Sequence, residues 1–295
     1  MLSASLSRLG LIALLLGLTS QFLGCASAPT IPPAYQLKQY DAAPYATVLE
    51  AVVEKGMVDY RSINELPPVE QRTAEDYDSL DGQLELYLDA IARFGPETNP
   101  ELFPNEQEKL AYYLNAYNAI MIRLWLDNGA RTADPDDKVQ WLTWFTINQW
   151  KVDNRTMSLD YLEQRLIRPD FKEARVHAAL VCGAVDCPPL RDEPYSGEEL
   201  DQQLDDQMVE WLNAPADDAL RIADDGQVYL SAIFGWYRTD FQSTGGLEGV
   251  IAKYLDESDP RKAKALQALQ GNKVKFMGYD WTINVPANAA ETTEK

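Results

Sequence analysis

The sequence holds one histidine in 295 residues. It has three cysteines, and only Cys182 and Cys187 fall where a folded domain is expected. A single imidazole excludes the paired-histidine zinc motifs such as HExxH. Two thiols and one imidazole lack the fourth ligand that a structural zinc site needs, so no metal is expected. Cations are also scarce: 26 Lys and Arg stand against 46 Asp and Glu, a formal charge of −20. Phosphate backbones are gripped by clustered basic side chains, so nucleic acid is excluded as a partner class. No GxSxG, P-loop or GxGxxG motif in a strand context is present, and no cofactor is read from the chain. Long apolar runs are missing apart from Leu9–Leu18, which is too short to span a bilayer.

That short run has the form of a signal h-region, preceded by Arg8 and ending at Phe22-Leu23-Gly24-Cys25. A small residue directly before a cysteine resembles the lipobox of bacterial lipoproteins, although Phe22 stands where Leu is usual. Residues 1–24 therefore read as a signal peptide, Cys25 as a lipid attachment site, and residues 25–43 as an Ala/Pro-rich tether. The implied address is the bacterial cell envelope. Ala26 and Ser27 lack the Asp that retains some lipoproteins at the inner membrane, which favours the outer membrane with the domain facing the periplasm. Residues 286–295 are small and polar and read as a disordered tail.

Between them, residues 44–285 carry no linker and no repeat, and read as one mixed α+β domain with helices packed on a small, mostly antiparallel sheet. Apolar spacing places helices over Leu80–Phe94 and from an Asn105 cap to Gly129. Val152-Asp153-Asn154-Arg155 has the form of a two-residue hairpin turn, and the aromatic-rich stretch Trp141–Asp153 reads as extended around it. A helix runs from the Ser158 cap to Arg168, another follows the Ser196/Glu199 capping box, and Val274–Ile283 reads as a closing strand. Asn115 and Asn118 interrupt the apolar Asn105–Gly129 helix, either as amides bridging it to a loop or as one wall of a site.

The chemistry is concentrated in the segment from Arg175 to Arg191. His177, Cys182 and Cys187 lie within 11 residues. Read as a strand, Arg175–Cys182 puts His177 and Cys182 on opposite faces, roughly 16 Å apart at a rise of ~3.3 Å per residue. A thiol–imidazole couple therefore needs the strand to break near Leu180. With that break, Cys182 is the candidate nucleophile and His177 its base. Glu163, Asn115 or Asn118 would orient the ring, and Asn115, Asn118, Cys187 and Arg191 would form the wall. The alternative is a disulfide between Cys182 and Cys187, with four intervening residues and Gly183 supplying the bend, in an oxidising compartment.

Several motifs occur together in order: Gly56-Met57-Val58-Asp59-Tyr60, Leu110-Ala111-Tyr112-Tyr113-Leu114-Asn115-Ala116-Tyr117-Asn118-Ala119, Ser158-Leu159-Asp160-Tyr161-Leu162-Glu163, His177 to Arg191, Leu230 to Phe241, and Tyr279-Asp280-Trp281. Over about residues 45–283 this pattern resembles the DUF547 family, a domain of unknown function found in bacterial envelope proteins and plant proteins. The resemblance implies no established reaction, and a likeness to papain-like or transglutaminase-like cysteine hydrolases is an analogy. One departure stands out. Where the family pattern reads Leu/Ile-Glu-His, this chain has Leu162-Glu163-Gln164, which leaves His177 as the sole imidazole for a thiol. Two functions from different classes follow. One is a cysteine-dependent hydrolase of amide or ester bonds. The other is a non-enzymatic module that binds a peptide, glycan or envelope protein through Trp141–Trp150 and Trp236–Phe241.

Overall fold

A computed structural model describes residues 31–130, 140–214 and 219–286. The proposed signal peptide, Cys25 and most of the tail therefore lie outside the described residues. Helix α1 (Ala43–Val52) buries Tyr45, Val48, Leu49 and Val52, one stripe at i, i+3, i+4 and i+7. It passes into a hairpin of β1 (Val53–Glu54) and β2 (Met57–Val58). The two turn residues, Lys55 and Gly56, have φ of 51° and 79°, as a type I′ turn requires. A Cβ on Gly56 would sit 2.2 Å from Cβ of Pro189, so this hairpin tip is packed against the double proline of the cysteine loop.

Helix α2 (Leu80–Arg93) starts where Ser79 accepts the Gly82 N–H, and it packs on α1. Helix α3 (Glu106–Asp127) starts where Asn105 accepts the Glu108 N–H at 2.8 Å, and it is buried along most of its length. Instead of extended chain, residues from Gln140 form α4 (Gln140–Ile147), and only Trp150 onward is strand. Strands β3 (Trp150–Val152) and β4 (Arg155–Met157) then pair through Asp153 and Asn154, with φ of 52° and 57°, the two-residue turn expected.

From the Ser158 cap the chain forms α5 (Leu159–Tyr161), a π-helical turn at Leu162–Ile167, and α6 (Arg168–Phe171). A π-turn widens the helix by one residue and re-aims its side chains, and such turns collect at functional sites. The expected strand Arg175–Cys182 is absent. Val176–Ala179 forms a short helical turn, α7, and the chain becomes extended at Leu180 (φ −87°, ψ 108°). The reason is local: the side chain of Asn118 accepts the Val181 N–H at 3.0 Å and donates to the Ala179 carbonyl at 2.9 Å. It satisfies the two backbone groups that would otherwise call for a neighbouring strand.

Helix α8 (Leu200–Asn213) follows a turn in which Ser196 accepts the Glu199 N–H. Strands β5 (Leu220–Ile222) and β6 (Val228–Leu230) form an antiparallel hairpin. Then come α9 (Ala232–Trp236), α10 (Gly246–Tyr254) and α11 (Arg261–Gln270). The closing strand is shorter than expected: β7 (Lys275–Phe276) adds to β6 in parallel, and beyond it Ile283 forms an isolated bridge to Ala184. The architecture is α+β, with the strands divided among three small sheets rather than gathered in one.

Among the described residues, two large apolar cores form, beside a small cluster of Ile31, Tyr77 and Leu86. The first surrounds α1, α2 and α3 and reaches Leu162, Leu200 and Ile283. The second joins α8, β5, β6, α9, α10 and α11 around Trp211, Phe234 and Phe241. Helix α7 lies at their seam, with Val176 and Ala179 in the first core and Ala174 and Ala178 in the second. Among the described residues, no helix is long and apolar enough to cross a membrane.

Candidate active site

Helix α3 is the spine of the site. Asn118, Met121 and Trp125 share one face at i, i+3 and i+7. Asn118 fixes the bend after α7, and the Trp125 indole donates to the Cys182 carbonyl at 2.9 Å. Gly183 follows with φ +80°, and a Cβ there would lie 2.4 Å from Nε1 of Trp125. Conformation and space thus both require glycine. Beyond it, Val185 donates to the Thr282 carbonyl, Asn284 to the Gly183 carbonyl, and Asp280 to the Asp186 carboxylate. The C-terminal segment is clamped on the cysteine loop and delivers Tyr279.

Cys182 and Cys187 are free thiols in the structure. Each sulfur has a hydrogen-bond partner. Sγ of Cys187 accepts the Cys182 N–H at 2.9 Å, and Sγ of Cys182 lies 3.2 Å from the Tyr279 hydroxyl. Burial pushes both thiols up. At Cys182 that is outweighed by hydrogen bonds from Cys187, Tyr279 and the Ala184 backbone, so its pKa falls below the usual thiol range. At Cys187 burial and donation to Cys182 act together, and its pKa stands well above that range.

His177 is buried and stacked on Tyr237, ring centroids 3.9 Å apart. Its Nε2 lies 2.8 Å from Oδ2 of Asp240. Burial lowers its pKa to about 4, against the hydrogen bond to Asp240. Asp240 is held at about 2: its desolvation is outweighed by hydrogen bonds from Arg168, at 2.7 and 3.0 Å, and from His177. At neutral pH the pair is therefore an ionised carboxylate and a neutral ring with its proton on Nε2, which leaves the lone pair on Nδ1. Arg168 also donates to Gln164. Gln164 donates to Glu163 at 2.8 Å, and Glu163 accepts from Tyr237 at 2.6 Å and Tyr117 at 3.3 Å. Burial raises the Glu163 pKa, with the Tyr237 hydrogen bond opposing it.

His177, Glu163, Gln164 and both thiols line one cavity of about 470 Å³. Its mouth is aromatic. Trp236 is 52% exposed and stacks parallel to Trp281, and Tyr279 packs on Trp281 with centroids 4.0 Å apart. Asp160 is the further carboxylate on the wall, and among the described residues no Lys or Arg lines it. Among the described residues, no group of three or more His, Cys, Asp or Glu is placed to hold a metal ion.

Residues 102–212 match the DUF547 family model. Its description is "Protein of unknown function, DUF547". No curated protein and no solved structure matches the chain. The DUF547 segment contains α3, Glu163, His177 and both thiols, whereas Trp236, Tyr237, Asp240, Tyr279 and Trp281 lie beyond its end. The matched span is narrower than the 45–283 range over which the motifs run.

Within the DUF547 segment the candidate residues separate. Cys182, His177, Glu163 and Cys187 line the cavity. Asn115 does not: its amide exchanges two hydrogen bonds of 2.8 Å with the Tyr195 backbone. Asn118 acts likewise on the chain after α7, so both amides bridge helix to loop and shape the site from behind. Arg191 also stands off the cavity, paired with Glu193. The group that orients His177 is Asp240, in place of Glu163 or an asparagine; Glu163 is occupied by Tyr117, Tyr237 and Gln164. Asp240, Tyr237, Arg168 and Tyr279 escaped the sequence reading, although three of them stand in quoted motifs. Of the two aromatic segments, the Trp141 side chain lies outside the described residues, and Trp236 is the half-exposed member of the other.

Proposed function

We propose that this cavity is a cysteine-dependent acyl-transfer site that hydrolyses amide or ester bonds, in a domain held at the envelope by lipid on Cys25. The carrying observation is that one cavity is lined both by a free thiol of depressed pKa and by a histidine oriented by an ionised aspartate. No hydrogen bond joins Cys182 to His177 among the described residues, so the proton of Cys182 crosses the cavity they share, by way of water, to Nδ1 of His177 as sulfur bonds to the acyl carbon, and Asp240 balances the imidazolium. The leaving amine or alkoxide takes that proton as its C–N or C–O bond breaks. Water then gives a proton to His177 and its oxygen to the acyl carbon. The C–S bond breaks, and the departing sulfur recovers the proton. The Gln164 departure is compatible with this scheme because Gln164 ties Glu163 to Arg168 and carries no proton in it.

The test is a p-nitrophenyl acyl ester in excess over the protein, followed in the pre-steady state. A burst of p-nitrophenol, with an acyl adduct on the Cys182 peptide and loss of both in Cys182→Ala, is expected. A burst that persists in Cys182→Ala would overturn the proposal. The lipid anchor is tested separately, by incorporation of labelled palmitate that Cys25→Ala abolishes.

One observation favours a second reading. The half-exposed Trp236, parallel to Trp281 at the mouth, is a stacking platform for a peptide or glycan that needs no chemistry. In that reading Trp236→Ala abolishes ligand binding, and Cys182→Ala changes nothing.

A further inference from the structure

Cys187 has no part in acyl transfer. Yet it lines the same cavity, and its sulfur lies 2.9 Å from the Cys182 nitrogen. The four residues between the thiols form a closed turn. Gly183 takes a positive φ, and Cys187 donates its N–H to the Ala184 carbonyl at 3.1 Å. The turn thus already brings the Cys187 sulfur onto the backbone of Cys182. They are also unequal, since hydrogen bonds favour ionisation of Cys182 while burial keeps Cys187 protonated. An easily ionised, accessible thiol beside a protonated neighbour is the arrangement in which one sulfur attacks an oxidant and the other resolves the product.

We propose that Cys182 and Cys187 are a peroxide-reactive pair, in which Cys182 is oxidised by a small hydroperoxide and Cys187 resolves it to a disulfide. The Cys182 thiolate attacks one peroxide oxygen, so an S–O bond forms and the O–O bond breaks. The departing hydroxide or alkoxide takes a proton from solvent and leaves as water or alcohol. Sulfur loses two electrons and the peroxide gains them. Cys187 then attacks the sulfenic sulfur: the S–S bond forms, the S–O bond breaks, and the hydroxyl leaves as water with the Cys187 proton. The disulfide removes the nucleophile of the acyl-transfer reading, and a dithiol reductant restores it by exchange. Formation requires Sγ of Cys187 to leave the Cys182 N–H, a movement confined to the turn.

The experiment uses the full chain, reduced, desalted and exposed to hydrogen peroxide, with intact mass and peptide mapping as readouts. Wild type is expected to lose the mass of two hydrogens, to yield a peptide cross-linked between Cys182 and Cys187, and to recover on treatment with dithiothreitol. Cys187→Ala is expected to trap dimedone on Cys182. Cys182→Ala is expected to consume peroxide roughly tenfold more slowly than wild type. Retention of both Cys182 and Cys187 as alkylatable thiols in peroxide-treated wild type would overturn the proposal, as would dimedone on Cys187 in Cys182→Ala at the wild-type rate. The wild-type cross-link decides the matter even where a variant folds poorly. Because mass is read rather than turnover, an absent acyl burst with an intact cross-link refutes the hydrolase alone, and the converse refutes this pair alone.

Discussion

The two halves of the segment from Arg175 to Arg191 are built on opposite plans. The His177 half is a helical turn held from behind: Asn118 holds its backbone, and Asp240, Arg168, Gln164 and Glu163 form a continuous chain of hydrogen bonds behind the ring. The Cys182 half is a glycine-bearing loop fastened by the far C-terminal segment, and its sulfur is left with a phenol and a second thiol as neighbours. One half is arranged to keep a proton in a fixed place. The other is arranged to let one go. A thiol and an imidazole can therefore be tuned independently, although they stand five residues apart in sequence.

The largest expected effect breaks the comparison at Asp240. Asp240→Asn presents the wrong tautomer of His177 and is expected to slow the acyl burst roughly 10²–10⁴-fold. Its rate of alkylation by iodoacetamide at Cys182 should stay at the wild-type value, because the hydrogen bonds of that sulfur do not involve Asp240. Slowing of both rates together would show that the halves are coupled.

Next in size is the backbone support of the histidine half. Asn118→Ala strips partners from the Ala179 carbonyl and the Val181 N–H, both buried, and should cost about 2–4 kcal/mol in urea unfolding. Comparable in size is the pH response of the ring itself. The folded pKa of His177, about 4, lies below the usual 6.5. As pH falls from 6.5 the unfolded chain takes up the proton first, so stability is lost, and the loss is complete once pH has fallen through 4. It should amount to about 3 kcal/mol, measured as a falling urea midpoint that His177→Gln flattens. The smallest effect sharpens the thiol half. Tyr279→Phe removes one hydrogen bond to Cys182, and should raise the pH midpoint of its alkylation by roughly one unit.

What could be read from the sequence follows from what is local. Helix α3 was legible because Asn105 caps it and its apolar positions repeat at helical spacing. The Asp153-Asn154 turn was legible because those two residue types accept positive φ. Cys182 and His177 were legible through rarity alone, and the break needed near Leu180 is where α7 ends. Yet Val176-His177-Ala178-Ala179-Leu180-Val181 alternates as well as any strand, and what decides its shape is an amide 61 residues earlier. The groups that complete the site are remote in the same way: Asp240 is 63 residues from His177, and Tyr279 is 97 from Cys182. No spacing rule joins positions so far apart. Arg168 and Gln164 were obscured differently, since the π-turn at Leu162–Ile167 rotates them away from where a regular helix would point.

The clamp of residues 279–284 on the cysteine loop also sets a schedule. A ribosome adding about 5–20 residues per second reaches Tyr279 some 5–20 seconds after Cys182. Until then the nascent thiol has neither its phenol partner nor the Thr282 and Asn284 contacts that shape its loop, and it behaves as an ordinary cysteine. Reactivity at Cys182 is thus a property of the finished chain, acquired last.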